Sequence, residues 1–210
     1  MISILVADDH AVVRNGLKQI VGDTPDIVVA AEASNGQEAL NKALEGDYDV
    51  VLLDITMPDR SGLDILKEIK SQKPKLPVLI LSMHPEEQYA VRALKAGASG
   101  YLTKESAPEE LINAMRRVSG GGKYVTSSLA EKLASVLKTG AETPPHQALS
   151  DREYQVLCMI ASGKRVKQIA DELLLSAKTV STYRSRVLQK MNMNSTTELT
   201  RYAIQNHLVS

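Results

Sequence analysis

Several residue types are scarce in the 210-residue chain, which has one cysteine, no phenylalanine and no tryptophan. A single cysteine excludes an internal disulfide and cannot supply a metal-ligand spacing, so we expect Cys158 to be a buried thiol. No apolar run approaches the roughly 18 residues that are needed to cross a bilayer. The first strand-like residues lead directly into Asp8 and Asp9, unlike a signal peptide, so we expect a cytoplasmic protein that makes no membrane contact.

Net charge is also absent, but the charges are unevenly distributed. Residues 150–210 hold nine lysines and arginines against five aspartates and glutamates, a net charge of +4, so residues 1–149 carry −4. The basic segment suits a polyanionic partner, and the acidic segment suggests a different role. A length of 210 residues, with 43% hydrophobic and 24% charged residues, is typical of two small globular domains.

Five apolar, β-branched runs alternate with amphipathic stretches over residues 1–122. The runs are Ile2–Ala7, Ile27–Ala31, Val50–Leu53, Val78–Leu81 and Gly100–Thr103. Strands that are apolar throughout and alternate with helices predict an α/β, doubly wound fold with a five-stranded parallel sheet covered on both faces. The helix after the fifth strand is expected to begin at a capping box formed by Ser106 and Glu109.

The pattern changes after the three glycines at 120–122, and residues 123–148 are predicted to be a linker. Apolar residues in this linker predict one helix, namely Leu129, Leu133, Val136 and Leu137. Residues 139–148, which include Gly140 and two prolines, predict a flexible tether.

Residues 149–210 contain four short helical patterns and no strand, which predicts a small all-α domain. Ser150 and Glu153 form a capping box before the first helix, and Ser176 caps a third helix that extends to about Met191. The short link Leu174–Ser176 between the second and third helices predicts a helix-turn-helix.

Polar side chains follow the predicted strands of the first domain at their carboxyl ends. Asp8 and Asp9 follow the first strand, Asp54 the third, Ser82 the fourth and Lys104 the fifth. Ligands of parallel α/β sheets bind beyond these ends, so the five residues are expected to converge. Three carboxylates would repel one another unless a cation neutralised them, and Mg²⁺ prefers carboxylate oxygens and leaves positions for phosphoryl oxygens.

This set of residue types suits phosphoryl transfer to a carboxylate. Asp54 can attack phosphorus to form an aspartyl phosphate, while Lys104 and the metal neutralise the phosphoryl oxygens and the Ser82 hydroxyl bonds one of them. Any one of these residues alone could be a solvated loop residue. Their common position at the strand ends favours a site.

The segments that carry these residues resemble the receiver domains of two-component response regulators, which have a flavodoxin-like fold. The resemblance rests on Asp8-Asp9, Asp54-Ile55-Thr56-Met57-Pro58 with Gly62, Ser82 and Gly100-Tyr101-Leu102-Thr103-Lys104. It implies that Asp54 is the phosphoacceptor for a sensor histidine kinase.

The resemblance also implies roles for the neighbouring residues. The Mg²⁺ ligands would be Asp8, largely through water, Asp9, Asp54 and the carbonyl of Thr56. Phosphoryl binding and switching would involve Ser82, Tyr101 and Lys104, with the Ser82 hydroxyl moving to the phosphoryl group while the Tyr101 ring swings inward. Many receivers have a cis proline after the lysine, whereas Glu105 follows Lys104 here, which leaves the geometry of that bond open.

The third helix of the C-terminal domain has one apolar face, with Val180, Val187 and Met191, and an opposite polar face. Hydroxyls, an amide and arginines on that outer face suit the major groove of DNA, although an ordinary solvated face would show the same pattern. The candidate DNA contacts on and beside it are Lys178, Thr179, Ser181, Thr182, Arg184, Ser185, Arg186 and Gln189.

Residues 149–209 are similar to the LuxR/NarL-type helix-turn-helix, through Leu149-Ser150-Asp151-Arg152-Glu153, Ile169-Ala170 and Leu175-Ser176-Ala177-Lys178-Thr179-Val180. The resemblance implies that Ser181, Thr182 and Ser185 face bases and that Leu199 and Tyr202 of the last helix form a dimer contact. Ser181 and Tyr183 depart from the lysine and histidine that are frequent in that family, and residues 179–184 resemble its GacA/UvrY-type members.

Together these features predict a phosphorylation-controlled transcriptional regulator that is not an enzyme, binds promoter DNA and forms a homodimer when phosphorylated. One alternative is an aspartate- and magnesium-dependent phosphotransferase, although the chain offers no obvious further acid or base for turnover. A second alternative is a regulator with a protein- or RNA-binding output. The absence of aromatic stacking platforms favours duplex DNA over RNA.

Overall fold

The computed structural model of the chain describes residues 1–126, 129–131 and 144–209, apart from the side chain of Glu87. The chain divides into two compact units, Met1–Leu133 and Ala134–Ser210. No helix in these described ranges combines the length and the apolar character that crossing a membrane requires.

The first unit alternates strands and helices as predicted. Its elements are β1 (Ile2–Ala7), α1 (Ala11–Gly22), β2 (Ile27–Ala33), α2 (Gly36–Glu45), β3 (Val50–Leu53), α3 (Gly62–Gln72), β4 (Val78–Ser82), α4 (Glu86–Lys95), β5 (Gly100–Thr103) and α5 (Pro108–Ser119). All strand pairs are parallel, and the strands lie in the order β2-β1-β3-β4-β5. This confirms the predicted doubly wound sheet.

Burial of the strands explains why they could be predicted from the sequence. Every residue of β3 and β4 is buried, because helices cover both faces of the sheet. One layer of the core joins these strands to α5 through Leu111, Ala114, Met115 and Val118. The predicted capping box of α5 is wrong. The cap residue is Ala107, Pro108 occupies the first turn, and the Ser106 hydroxyl instead lies 3.3 Å from the Thr103 hydroxyl.

The second unit is entirely helical within the part of the chain that the structure describes. A 3₁₀ turn (Pro145–Ala148) precedes α6 (Asp151–Ala161), α7 (Val166–Glu172), α8 (Ala177–Lys190) and α9 (Thr196–Gln205). Ser150 and Glu153 form the predicted capping box, and Ser176 accepts a hydrogen bond from the backbone N–H of Thr179. Helices α7 and α8 form the predicted helix-turn-helix.

Part of the predicted linker lies outside the described residues. Residues 129–131 are helical, which agrees with the start of the predicted linker helix, whereas Leu133, Val136 and Leu137 lie outside the described ranges. Of the predicted tether, residues 139–143 also lie outside them. Residues 145–148 form the 3₁₀ turn, so the tether prediction is wrong there, since the His146 ring bonds Tyr202 and holds the turn against α9.

Candidate functional site

The loop after β3 presents Asp54 and is packed tightly against α3. The Asp54 backbone N–H donates to the carbonyl of Ala7 at 2.9 Å, which ties the ends of β3 and β1 together. A Cβ on Gly62 would lie 2.0 Å from the Asp54 carbonyl oxygen. Only glycine therefore allows the start of α3 to lie this close to the Asp54 carbonyl group.

Four side chains at these strand ends form an acidic cluster. Asp8, Asp9, His10 and Asp54 each offer one ligand atom, and these atoms lie within 4.8 Å of one another. The Lys104 Nζ lies 2.6 Å from Asp8 Oδ2 and 2.7 Å from Asp54 Oδ2. The structure thus brings together the three predicted aspartates and the predicted lysine.

Burial sets the electrostatics of the cluster. It raises the pKa of Asp54 to about 6, because the nearby Lys104 ammonium offsets only part of the loss of water and Asp8 adds repulsion. Burial acts in the opposite direction on Lys104, but Asp54 and Asp8 together raise its pKa above the ordinary value. The cluster therefore favours a cation beside its carboxylates.

The donor set suits a hard divalent cation. Asp9 Oδ1 is buried and accepts no hydrogen bond from any described residue, although His10 Nδ1 lies 2.8 Å from it. An oxygen in this state is a ready ligand for Mg²⁺. Thr56 lies at the same mouth, where its backbone N–H donates to Asp54 Oδ1 at 3.1 Å. Sequence reasoning missed His10, whose only signal was its position directly after two aspartates.

The predicted switch residues lie beside this cluster. Tyr101 is fully buried, and its hydroxyl donates to the carbonyl oxygen of His84 at 2.7 Å. Ser82 Oγ accepts a hydrogen bond from the backbone N–H of His84 at 3.1 Å. The His84 Nε2 lies 3.2 Å from Thr56 Oγ1, and its ring packs on Tyr89 with 4.8 Å between centroids. His84 therefore connects both switch residues to the Asp54 loop.

His84 could not be predicted as part of the site, because it lies in a loop and belongs to no periodic pattern in the sequence. The geometry of the bond after Lys104 is defined, since every described peptide bond is trans, including Lys104–Glu105.

The helix α8 separates a buried face from a polar face as predicted. Val180, Val187 and Met191 are buried. Of the candidate DNA contacts, the exposed ones are Lys178, Thr182, Ser185, Arg186 and Gln189, and the partly exposed ones are Thr179, Ser181 and Arg184. Most of the candidate surface is therefore open to a large partner.

Local hydrogen bonds orient the hydroxyls of this face. Thr182 Oγ1 donates to the carbonyl of Lys178 at 3.0 Å, and Ser185 Oγ donates to the carbonyl of Ser181 at 3.1 Å. The single hydroxyl proton is then engaged, and the remaining lone pairs are left as acceptors. Both side chains therefore offer acceptor lone pairs on the outer face of the helix.

The two candidate dimer residues on α9 differ in exposure. Leu199 is only 1% exposed and packs inside its unit, so it is not available for direct contact in this structure. Tyr202 is partly exposed, and its hydroxyl lies 2.8 Å from His146 Nδ1. Ile204, which sequence reasoning missed, is 55% exposed on the same helix.

Comparison with protein families matches both units. Residues 4–116 match the response regulator receiver domain, and residues 147–203 match the bacterial regulatory proteins of the luxR family. The chain is 37% identical over 209 residues to the response regulator UvrY of Escherichia coli K12, covering 99% of this chain and 96% of the relative. It is 36% identical over 210 residues to the response regulator GacA of Pseudomonas aeruginosa PAO1, covering 100% and 98%.

Solved structures show the same architecture. The chain is similar to RcsB of Salmonella enterica serovar Typhimurium bound to promoter rprA with the phosphomimetic BeF₃⁻, with a TM-score of 0.65, 25% identity and coverage of 96% and 97%. It is also similar to a LuxR-family response regulator of Aurantimonas sp. SI85-9A1, with a TM-score of 0.60, 32% identity and coverage of 65% and 98%. Because the receiver match alone spans more than half of the chain and the UvrY and GacA relatives align over nearly all of it, the chain belongs to the response regulators that join a receiver domain to a LuxR-family regulatory domain.

Proposed function

We propose that Asp54 accepts a phosphoryl group from a sensor histidine kinase and that this event controls binding of α8 to promoter DNA. In this proposal residues 1–122 act as the receiver, 123–148 as the linker and 149–210 as the DNA-binding domain. The observation that carries the proposal is the lysine ammonium held 2.6–2.7 Å from two of three clustered aspartates. Such a cluster gathers positive charge where a phosphoryl group would arrive.

The carboxylate of Asp54 supplies the nucleophile. One of its oxygens forms a bond to phosphorus, and the bond between phosphorus and the donor nitrogen breaks, so the electron pair leaves with the donor imidazole. The Lys104 ammonium is positioned to turn from the carboxylates to a phosphoryl oxygen, and the Ser82 hydroxyl to bond another. In moving there, Ser82 would give up the hydrogen bond from the His84 N–H.

Asp8, Asp9, Asp54 and the Thr56 carbonyl would hold Mg²⁺ at this site. When bound, the ion would neutralise charge on the carboxylates and on the phosphoryl oxygens. The buried Asp9 oxygen, which accepts no hydrogen bond from a described residue, supports this assignment.

The outer face of α8 is proposed to enter the major groove. Ser181, Thr182 and Ser185 would face base edges, Arg186 and Lys178 would hold phosphates, and Gln189, Thr179 and Arg184 would border the contact.

Two copies would pair through α9, with Tyr202 and Ile204 at the contact and Leu199 supporting the helix from beneath. RcsB has been solved in complex with DNA, and in one structure two RcsB dimers are bound to two parallel DNAs, which supports DNA binding by a dimer here.

Substitution of the phosphoacceptor tests the proposal. D54N preserves size but removes the attacking oxygen, so it should incorporate no acid-labile phosphate from a small phosphodonor in the presence of Mg²⁺. Intact-mass spectrometry measures the adduct, with D59N as the control because Asp59 caps α2 through the backbone N–H groups of Gly36 and Gln37. An unchanged phosphate adduct on D54N would refute the assignment.

A further inference from the structure

The segment after α5 is fastened to the edge of the sheet. The backbone N–H of Tyr124 donates to the carbonyl of Ser99 at 2.8 Å, and Tyr124 pairs with Gly100 in a parallel bridge. Lys123 Nζ donates to the carbonyl of Ala98 at 2.7 Å. A Cβ on Gly100 would lie 2.7 Å from the Tyr124 carbonyl oxygen, so the close approach depends on this glycine. One end of the segment is therefore fixed to β5.

Two side chains then connect the segment to the neighbouring helices. The Tyr124 hydroxyl donates to Glu110 Oε1 of α5 at 2.8 Å, and the Thr126 hydroxyl donates to Glu86 Oε2 of α4 at 2.7 Å. Both bonds are partly buried, and each has an acidic acceptor, which makes it stronger than a neutral hydrogen bond.

Thr126 has a second role at the start of the helical residues 129–131. Its Oγ1 accepts a hydrogen bond from the Leu129 N–H at 3.2 Å, and its carbonyl accepts one from the Ala130 N–H at 2.9 Å. A threonine hydroxyl has one proton and two lone pairs, so it can cap this helix and donate to Glu86 at the same time. Thr126 thus links the first turn of α4 to the helical residues 129–131.

The first turn of α4 is in turn close to the switch. Glu86 is the first residue of α4, two residues after His84. His84 donates its N–H to Ser82 Oγ and accepts a hydrogen bond from Tyr101 on its carbonyl oxygen. Any movement of the Ser82 hydroxyl toward Asp54 removes one of these two bonds and changes the restraint on residues 83–86.

We infer that Thr126 is a positioning residue that transmits the state of the β4–α4 loop to the linker helix through its hydrogen bond with Glu86. This inference rests on the proposed function. The hydrogen bonds to β5 stay fixed, while the bond to Glu86 follows α4, so a shift of α4 changes the capping and order of the helical residues 129–131. The signal from Asp54 then leaves the receiver along this connection.

Matched substitutions separate the connection from simple structural effects. E86A removes the acceptor, whereas E86Q removes the charge but keeps an oxygen that accepts from Thr126. T126V removes the hydroxyl at nearly constant volume, whereas T126S keeps it. A role in helix capping alone would be lost in T126V but would not respond to E86A.

The experiment uses the full-length protein with and without beryllofluoride and Mg²⁺. Hydrogen–deuterium exchange over residues 123–131 and DNA affinity are measured for the parent and the four variants. Loss of one such hydrogen bond should raise amide exchange at Leu129 and Ala130 about fivefold in E86A and T126V. The same two variants should reduce the change in DNA affinity on beryllofluoride binding by a similar factor. T126S should behave as the parent does, and E86Q, which keeps an acceptor oxygen but loses its charge, should fall between the parent and E86A.

The outcomes distinguish this inference from the proposed function. If the parent binds DNA equally with and without beryllofluoride, the proposed function fails and the inference fails with it. If the parent responds and E86A responds by the same factor, only the inference is overturned. Unchanged exchange at Leu129 and Ala130 in E86A also overturns it, whatever the DNA affinities show.

Discussion

The polar residues of the candidate phosphorylation site lie at the ends of four strands, and most of them are buried. The candidate DNA contacts, in contrast, all lie on one helix, α8. Asp54 and Lys104 are 50 positions apart in the sequence and meet only because the sheet is parallel. On α8 the spacing of the helix itself brings Ser181 and Ser185 to one face. A site formed by convergence depends on the backbone frame around it, while a site on one helix depends on side chains alone.

This contrast predicts the largest effect at Gly62. In G62A the new Cβ would meet the Asp54 carbonyl oxygen at 2.0 Å, and only backbone atoms are there to move. We expect a loss of about 3 kcal/mol or more in the free energy of unfolding. Urea denaturation measures it. G16A is the control, because its Cβ meets nothing within 4 Å in the middle of α1, and helix propensity should stabilise it by up to about 1 kcal/mol. Similar stabilities for both variants would contradict the tight packing of this loop.

The next effect concerns the charge of Asp54. Burial raises its pKa to about 6 in the folded chain from an ordinary value of 3.8, so the folded state binds the proton more tightly than the unfolded state does. Stability is therefore lost as the pH rises through this interval, and asparagine does not titrate. Without divalent cations, D54N should be more stable than the parent at about pH 7, by up to about 3 kcal/mol.

The pH dependence is the check on that prediction. The advantage of D54N should shrink toward about pH 4, where Asp54 of the folded parent is protonated. Denaturation in EDTA at several pH values measures it. An advantage that is the same at all pH values would show that burial of the charge is not its cause.

Substitutions on the outer face of α8 should weaken DNA binding and leave the stability of the fold unchanged. S185A should cost on the order of 1 kcal/mol on the specific operator only, because Ser185 is prepared to accept a hydrogen bond from a base amino group. R186A should weaken operator and scrambled duplex alike and reduce the salt slope by about one contact. Both should leave the free energy of unfolding within about 0.5 kcal/mol of the parent.

Fluorescence titrations with both duplexes at several salt concentrations separate these effects. An R186A protein with unchanged affinities, or an S185A protein that loses both duplexes equally, would show that α8 docks differently.

The smallest effect is expected in the turn before α8. Leu174 has a φ of 50° and is 73% exposed, so a branched side chain occupies a left-handed conformation without burying its surface. L174N should gain about 0.5–1 kcal/mol of stability, because asparagine tolerates this region better. L174A is the control, since alanine removes the exposed apolar surface but keeps a Cβ atom, which is disfavoured at this positive φ. Equal gains in thermal denaturation of the two variants would attribute the effect to surface polarity.

The sequence predicted those features that depend on local pattern. The bounds of β1, β3 and β5 agree with the predicted runs, because strands that are covered on both faces of the sheet are mainly apolar. The convergence of Asp8, Asp54 and Lys104 followed from the topology of such a sheet. The buried face of α8 followed from its period.

The remaining features depend on tertiary contacts that leave no local signal. The predicted cap of α5 was wrong because Pro108 in the first turn places the start of the helix after Ser106. His84 reaches Thr56 only through the fold of the β4–α4 loop. The 3₁₀ turn at 145–148 was missed because composition predicts a tether, whereas the bond from His146 to Tyr202 orders it.

The most direct test of the account is the DNA affinity of the parent and D54N, each measured with and without beryllofluoride and Mg²⁺, on an operator selected from random duplexes. Control by phosphorylation at Asp54 predicts that the parent binds more tightly and sediments as a dimer when beryllofluoride is present, while D54N shows neither change. Equal affinity and mass of the parent in both states, or the same response in D54N, would contradict control of DNA binding by phosphorylation at Asp54.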